Sequence, residues 1–118
     1  MAYLMLQYDR PTDTRNWNNY NRHVQDWITQ LLKMPGAVSF MAYRATPQNS
    51  PDTFTLLEFH SMEEARQAAV SEPMKHVLDE LRSVGAVTKV LLVERSPFTP
   101  EPILAEIQDS ETDPATPV

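Results

Sequence analysis

The sequence has no cysteine and only two glycines among its 118 residues. Without cysteine, the chain cannot form disulfides, thiolate zinc sites, iron–sulfur clusters or a cysteine nucleophile. Two glycines are too few for a glycine-rich phosphate-binding loop, which disfavours nucleotide-dependent chemistry. A chain without cysteine also fits a reducing compartment, so we expect a cytoplasmic location.

Long apolar runs are missing as well. No stretch approaches the roughly 18 consecutive apolar residues that a membrane-spanning helix needs. The first residues, MAYLML, lack the basic flank and the long apolar core of a secretory signal. We therefore expect neither a membrane anchor nor secretion.

The net charge of −6 is concentrated at one end of the chain. Five acidic residues follow Arg95, the last basic residue, whereas residues 1–100 carry ten basic and eleven acidic side chains. Nucleic acids and anionic lipids are bound by concentrated positive surfaces, and this sequence offers none. We expect no nucleic-acid or membrane partner.

Apolar periodicity predicts four strands and two helices. The strands are expected over residues 3–8, 37–44, 53–60 and 86–94. One helix should cover residues 14–34, with Asp13 as its N-cap. The other should run from Ser61 to Gly85 with a break near Ser71, because Pro73 cannot donate to the helical ladder.

The element order is βαββαβ, and it contains an internal repeat. Each helix ends in a glycine followed by Ala-Val and a strand, at Gly36 and again at Gly85. Two such βαβ units predict an α+β fold, a ferredoxin-like sandwich with a four-stranded antiparallel sheet and both helices on one face.

The second face of this sheet also needs a cover. In the first, third and fourth strands, the residues that point to either face are apolar, whereas the strands of a sheet with one solvated face alternate apolar and polar residues. Two helices can cover only one face. We therefore predict a homodimer in which two sheets pack face to face into a barrel.

This dimeric domain is expected to cover residues 1–95. Residues 96–118 form a proline-rich, acidic extension. Its first part, SPFTPEPIL, has enough apolar content to lie across a neighbouring subunit. Its last part, from Asp109 onward, is expected to be disordered.

Three aromatic residues and a histidine are the best candidates for a functional site. His23 lies three residues after Tyr20 and four before Trp27, a helical spacing that predicts one patch. Such a patch, with Trp17 one turn away, would offer aromatic walls and a general acid or base. The alternative is that the aromatic residues are plain core and His23 is an ordinary boundary residue.

Polar residues inside apolar strands are a second set of candidates. Gln7, Arg44 and Glu58 each need a partner or a pocket, since burying an unpaired polar group costs free energy. Arg44 and Glu58 could pair across adjacent strands, or all three could line a cleft between helices and sheet. His76 is spaced from Asp79 and Glu80 so that two ligands could reach one metal ion, but nothing nearby supplies a third, so no metal site is expected.

Several motifs resemble the EthD family of the dimeric α+β barrel superfamily, which is related to the antibiotic biosynthesis monooxygenases. They are YDRPTD at 8–13, WNNYNRH at 17–23, LKMPG at 32–36 and EFHSMEEA at 58–65. The resemblance covers residues 3–95. It implies small apolar or aromatic substrates and, as in many members, no bound cofactor.

Two departures limit what the resemblance implies. Relatives usually carry Ser-Pro in the second helix, whereas Glu72 intervenes here. Haem-degrading relatives carry an Asn, a Trp and a His where this chain has Gln7, Ala68 and Leu78. Haem degradation is therefore not implied.

Three functional hypotheses follow. The first is a cofactor-independent enzyme of monooxygenase, dehydratase or decarboxylase type, in which His23 is the acid or base on a small hydrophobic or aromatic compound. The second is a non-catalytic ligand-binding or accessory protein of a catabolic or secondary-metabolite pathway. The third is a structural dimer whose cleft is filled by Trp17 and Trp27.

Overall fold

Seven elements build the chain in the order that the sequence predicts. The computed structural model describes residues 1–46 and 48–106, so the predicted disorder from Asp109 onward lies outside the described residues. The elements are β1 (Ala2–Tyr8), α1 (Thr14–Leu32), β2 (Ala37–Arg44), β3 (Thr53–Phe59), α2 (Met62–Ala69), α3 (Glu72–Ser83) and β4 (Lys89–Glu94). The strands form one sheet in the order β2-β3-β1-β4, and each neighbouring pair is antiparallel. This confirms the predicted ferredoxin-like α+β fold.

The helices begin where side chains can satisfy their first backbone N–H groups. Asp13 accepts a hydrogen bond from the Asn16 amide at 2.9 Å, as predicted for the start of α1. Ser61 accepts from the Glu64 amide at 3.2 Å, and its hydroxyl donates to the Glu64 carboxylate at 3.1 Å. Ser61 is thus the N-cap of α2, as its spacing from Glu64 predicts, although the Glu64 carboxylate reaches the Ser61 hydroxyl rather than the backbone N–H of a full capping box.

The predicted break in the second helix is also present. The chain leaves α2 after Ala69 and enters α3 at Glu72, with Ser71 as the new N-cap and Pro73 in the first turn. Proline is tolerated there because its missing N–H would be unpaired in any case.

The fourth strand is shorter than predicted. It begins at Lys89 rather than residue 86, because its ladder with β1 starts at the pair Gln7–Lys89. Ala86, three residues earlier, is buried in the core instead.

Strict alternation along β1 and β3 separates the two faces of the sheet. Ala2, Leu4, Leu6 and Tyr8 are buried beneath the helices, while the residues between them are half-buried on the other side. β3 alternates in the same way. The helices complete the core with buried side chains that include Trp27, Leu31, Met74, Val77 and Leu81.

The other side of the sheet, here called the open face, is largely apolar. The strand register aligns Met41, Leu56, Met5 and Leu91 in a row across all four strands. The flanking rows are Tyr43, Phe54, Gln7 and Lys89 on one side and Ser39, Glu58, Tyr3 and Val93 on the other. The open face is the surface that the predicted dimer would cover.

Both glycines adopt left-handed backbone conformations at helix exits, with φ of +81° at Gly36 and +85° at Gly85. Their surroundings differ. A Cβ at Gly36 would collide with the Glu64 carboxylate, whereas one at Gly85 would meet only the Asn16 side chain, at 3.4 Å.

Gly36→Ala is therefore expected to destabilise the protein more than Gly85→Ala. Both variants should lose roughly 1–2 kcal/mol from the left-handed conformation. In Gly36→Ala, Glu64 must also turn away and break its hydrogen bond from Ser61, which adds about 0.5–1.5 kcal/mol. Urea denaturation measures both losses.

A double-mutant cycle with Glu64→Ala separates the two costs. In the Glu64→Ala background, Gly36→Ala should cost no more than Gly85→Ala costs in the natural chain. An unchanged cost in that background would show that Glu64 is not the obstacle.

Candidate functional site

A small apolar cavity lies between the helices and the sheet, and we call it the helix-side cavity. Its enclosed part has a volume of about 30 Å³, and the whole cavity with its open mouth has a volume of about 290 Å³. It is lined by Leu6, Tyr8, Val24, Trp27, Ile28, Leu31, Phe40, Thr55, Val77 and Leu81. β1 and β3 supply its floor, and α1 and α3 supply most of its walls.

One polar atom in this wall stands out. Thr55 is buried, and its hydroxyl has no hydrogen-bond partner among the described residues. Thr53, two positions earlier on the same face of β3, is equally buried at 4% exposure, but its hydroxyl donates to the Asp52 carboxylate at 2.9 Å. An unpaired buried hydroxyl is uncommon in native proteins.

Tyr8 also lines the cavity, and it carries a hydroxyl. Its oxygen lies 2.6 Å from the hydroxyl oxygen of Tyr20, and both residues are buried. Burial, together with the hydrogen bond to Tyr20, raises the pKa of Tyr8 well above its usual value. Tyr8 therefore stays protonated, and its hydroxyl is paired with that of Tyr20 in the interior.

The aromatic residues predicted from the spacing on α1 do come together. The Tyr20 ring stacks on Trp17 with centroids 5.8 Å apart, and it meets Tyr8 and Trp27 edge-on at 6.0 and 5.8 Å. Trp17 is half-buried and also borders a surface depression beside Arg10. The aromatic stripe is thus core packing, and Trp27 is also a wall of the cavity.

Trp27 separates the helix-side cavity from a polar groove on the outer side, between α1 and α3. This α1–α3 groove, of about 260 Å³, is lined by Asn19, His23, Trp27, Glu80, Ser83 and Val84. The indole N–H donates to the Glu80 carboxylate at 2.6 Å, although the two residues are 53 positions apart. This contact cannot be predicted from the sequence, which shows only the helical spacing of His76 from Asp79 and Glu80.

His23 lies in the α1–α3 groove rather than in the cavity. It is exposed, and its ring centroid is 6.1 Å from that of Trp27. Tyr20 touches Trp27 from inside the protein, whereas His23 touches it from outside. The predicted common patch is therefore divided by Trp27, and a catalytic role for His23 stays a prediction.

The structure does not unite the polar strand residues with the aromatic ones. Gln7 and Glu58 lie on the open face, where Glu58 accepts a hydrogen bond from Ser39 at 2.8 Å. Arg44 pairs in register with Thr53, on the face toward the helices. Since positions 53 and 58 of one strand point to opposite faces, the predicted Arg44–Glu58 pair is wrong.

An ion pair fastens the loops at the Tyr8 end of the site. Arg10 donates to Asp52 from its backbone N–H at 3.1 Å and from its guanidinium at 3.3 Å. Burial by itself would raise the pKa of Asp52, but hydrogen bonds from Arg10 and Thr53 outweigh it and lower that pKa. The Asp52 amide in turn donates to Asp9 at 3.1 Å.

In the described part of the chain, no three His, Asp or Glu side chains gather closely enough to hold a metal ion. Within the same residues, no helix is both long and apolar enough to cross a membrane.

Replacing Glu80 tests how the wall of the cavity is held. Glu80→Leu leaves the indole N–H of Trp27, which is only 3% exposed, without its acceptor, and should cost about 1–3 kcal/mol of unfolding free energy. Glu80→Gln keeps an acceptor oxygen and should cost less. Urea denaturation measures stability, and the indole N–H signal of Trp27 in NMR, assigned with Trp17→Phe, reports the contact.

Asp79→Asn is the matched control on α3, because Asp79 only faces exposed Arg82 at 3.8 Å. Its effect should stay within about 0.5 kcal/mol. Equal losses for Glu80→Leu and Glu80→Gln would contradict a role for the hydrogen bond.

Comparison with known proteins supports the fold. The sequence matches no protein-family model, and no curated protein is significantly similar to it. Among solved structures, the chain is similar to an ethyl tert-butyl ether degradation (EthD) family protein from Bacillus halodurans, with 17% identity and a TM-score of 0.61. The alignment covers 81% of this chain and 99% of that one.

Two further structures are similar over nearly their whole length. SnoaB, a cofactor-independent oxygenase from Streptomyces nogalater crystallised as a mutant, has 11% identity and a TM-score of 0.61, covering 85% of this chain and 97% of that one. A dimeric ferredoxin-like protein of unknown function from Jannaschia has 12% identity and a TM-score of 0.59, covering 80% and 98%. The chain thus has the ferredoxin-like α+β fold of EthD-type and monooxygenase-type proteins, as its motifs predicted.

Proposed function

We propose that the helix-side cavity binds a small, mainly apolar compound that carries one hydrogen-bonding group. The observation that carries this proposal is the buried Thr55 hydroxyl, which has no partner within residues 1–46 and 48–106. Leaving such a group unpaired costs about 1–3 kcal/mol, so a ligand that pairs with it gains affinity there.

The size of the cavity limits how such a compound enters. A volume of about 30 Å³ accepts little more than one water-sized group, so an aromatic ring must displace part of the wall. Val24, Ile28 and Phe40 are the half-buried lining residues, and they form the part of the wall that faces solvent. Entry past these three side chains leaves the buried floor intact.

Phenol and toluene are suitable probes, because they differ mainly in one hydroxyl. Phenol is less hydrophobic than toluene, so a purely apolar cavity would bind phenol more weakly. We expect phenol to bind the natural protein more tightly than this difference in hydrophobicity predicts, and Thr55→Val should remove the extra affinity. One hydrogen bond of about 1 kcal/mol corresponds to roughly a five-fold change in Kd. Titration followed by NMR chemical shifts measures both dissociation constants.

Thr53→Val is the matched control, since it changes the same atoms at equal burial outside the cavity wall. It should keep the preference for phenol but lose about 1 kcal/mol of stability, because Asp52 loses a donor. Thr55→Val should be neutral or slightly stabilising. A preference for phenol that survives Thr55→Val would falsify the proposed role of this hydroxyl.

A cofactor-independent enzyme of oxygenase, dehydratase or decarboxylase type is the second candidate. Two observations support it: SnoaB, which has this fold, is a cofactor-independent oxygenase, and His23 lies against Trp27, the wall of the cavity. A substrate that extends past Trp27 into the α1–α3 groove would meet His23 as an acid or base. Without such a reaction, the same cavity serves a ligand-binding or accessory protein.

His23→Ala distinguishes these two candidates. Hydroxylated aromatic compounds are incubated aerobically with the protein, and their conversion is followed by mass spectrometry. Any conversion by the natural protein should fall about 10²–10⁴-fold in His23→Ala, with stability unchanged within about 1 kcal/mol. His60→Ala, which alters another exposed histidine, should retain it. Equal conversion by both variants would exclude His23 as the acid or base.

We also propose that the chain forms a homodimer through the open face. The apolar row Met41, Leu56, Met5 and Leu91 supports this, because a sheet face exposed to water would carry more polar side chains. The similar protein from Jannaschia is dimeric. A chain that stays monomeric at micromolar concentration would overturn this part of the proposal.

A further inference from the structure

The segment that follows β4 exposes large apolar side chains. Every residue of positions 96–106, here called the C-terminal arm, is exposed. Phe98, Ile103 and Leu104 have 89%, 79% and 85% of their surface accessible. Single exposed apolar residues are ordinary, but three large ones within seven positions mark a surface that meets a partner.

The base of the arm is held at the border of the open face. The Arg95 guanidinium donates to the Pro100 carbonyl at 2.9 Å and lies 3.2 Å from the Glu101 carboxylate. The nearby Tyr3 hydroxyl raises the pKa of Arg95. Tyr3 belongs to the open face, so the arm starts where any partner seated on that face would end.

The composition of the arm suits docking as an extended segment. Its three prolines, Pro97, Pro100 and Pro102, restrict the conformations of the undocked chain, which lowers the entropic cost of binding. They also lack the N–H groups that a regular added strand would need. The arm should therefore bind through its side chains rather than by extending a sheet.

From these observations we infer that the C-terminal arm docks on a second copy of this chain and packs Phe98, Ile103 and Leu104 against it. This inference rests on the proposed dimer. A second copy is the partner that the position of the arm favours, because it would seat its own apolar sheet on the open face, beside Arg95. Two-fold symmetry then engages both arms at once and doubles the buried apolar surface.

The test measures the dimer dissociation constant of the full chain by sedimentation equilibrium. The natural chain should sediment at twice 13.5 kDa. The variant Phe98→Ser/Ile103→Ser/Leu104→Ser should dissociate at least about 100-fold more readily, since six apolar side chains lose their contacts in the dimer. These side chains are exposed in the single chain, so its circular dichroism spectrum should stay unchanged.

Two controls make the outcome specific. Val70→Ser/Val87→Ser alters two apolar side chains outside the arm, which are 86% and 71% exposed, and should leave the dissociation constant unchanged. Leu56→Lys places a charge in the middle of the open face and should give a monomer.

The failures of the two proposals are distinguishable. If the natural chain is a dimer and the arm variant has the same dissociation constant, the docking of the arm is overturned and the proposed dimer is retained. A natural chain that is monomeric throughout overturns both. If the arm variant and the valine control weaken the dimer equally, the docking of the arm is also overturned, because any loss of exposed apolar side chains would then have the same effect.

Discussion

The two-residue alternation of β1 and β3 is the constraint on which the rest of this structure depends. Because the antiparallel register is fixed, every second side chain of these central strands points to the helices and the others point to the open face. The core, the helix-side cavity and Thr55 belong to the first set. The apolar row that contains Met5 and Leu56 belongs to the second. A shift of one residue would exchange the two sets and destroy both surfaces.

Within the helix-facing set, polar groups are satisfied in pairs. Tyr8 bonds to Tyr20, Thr53 bonds to Asp52, and the indole of Trp27 bonds to Glu80. The Tyr8–Tyr20 pair joins β1 to α1, and the Trp27–Glu80 pair joins α1 to α3, so these two pairs hold walls of the cavity in place. Among the described residues, the Thr55 hydroxyl is the one buried side-chain group without a partner, and the proposed ligand is placed there for this reason. Trp27 has two roles, since it closes the apolar cavity on one side and borders the polar groove on the other.

Much of the fold could be predicted, because its signals are local. Helical periodicity placed α1, a serine and a glutamate three residues apart placed the start of α2, and the glycines marked the helix exits. The site could be predicted only in part. The aromatic spacing on α1 correctly united Tyr20 and Trp27, but it placed His23 on the same side of Trp27. The Arg44–Glu58 pair failed because residue type shows that a polar group needs a partner without showing its register.

The sequence by itself determined the element order, the antiparallel ferredoxin-like fold and the apolar character of both sheet faces. These follow from periodicity and from residues with restricted backbone conformations, which act over a few positions. Only the tertiary structure decided that Glu80 holds Trp27, that Thr55 remains unpaired and that Gln7 and Glu58 face away from the aromatic residues. Contacts of this kind join positions up to 53 residues apart. They depend on how strands align and helices pack, which no local pattern encodes.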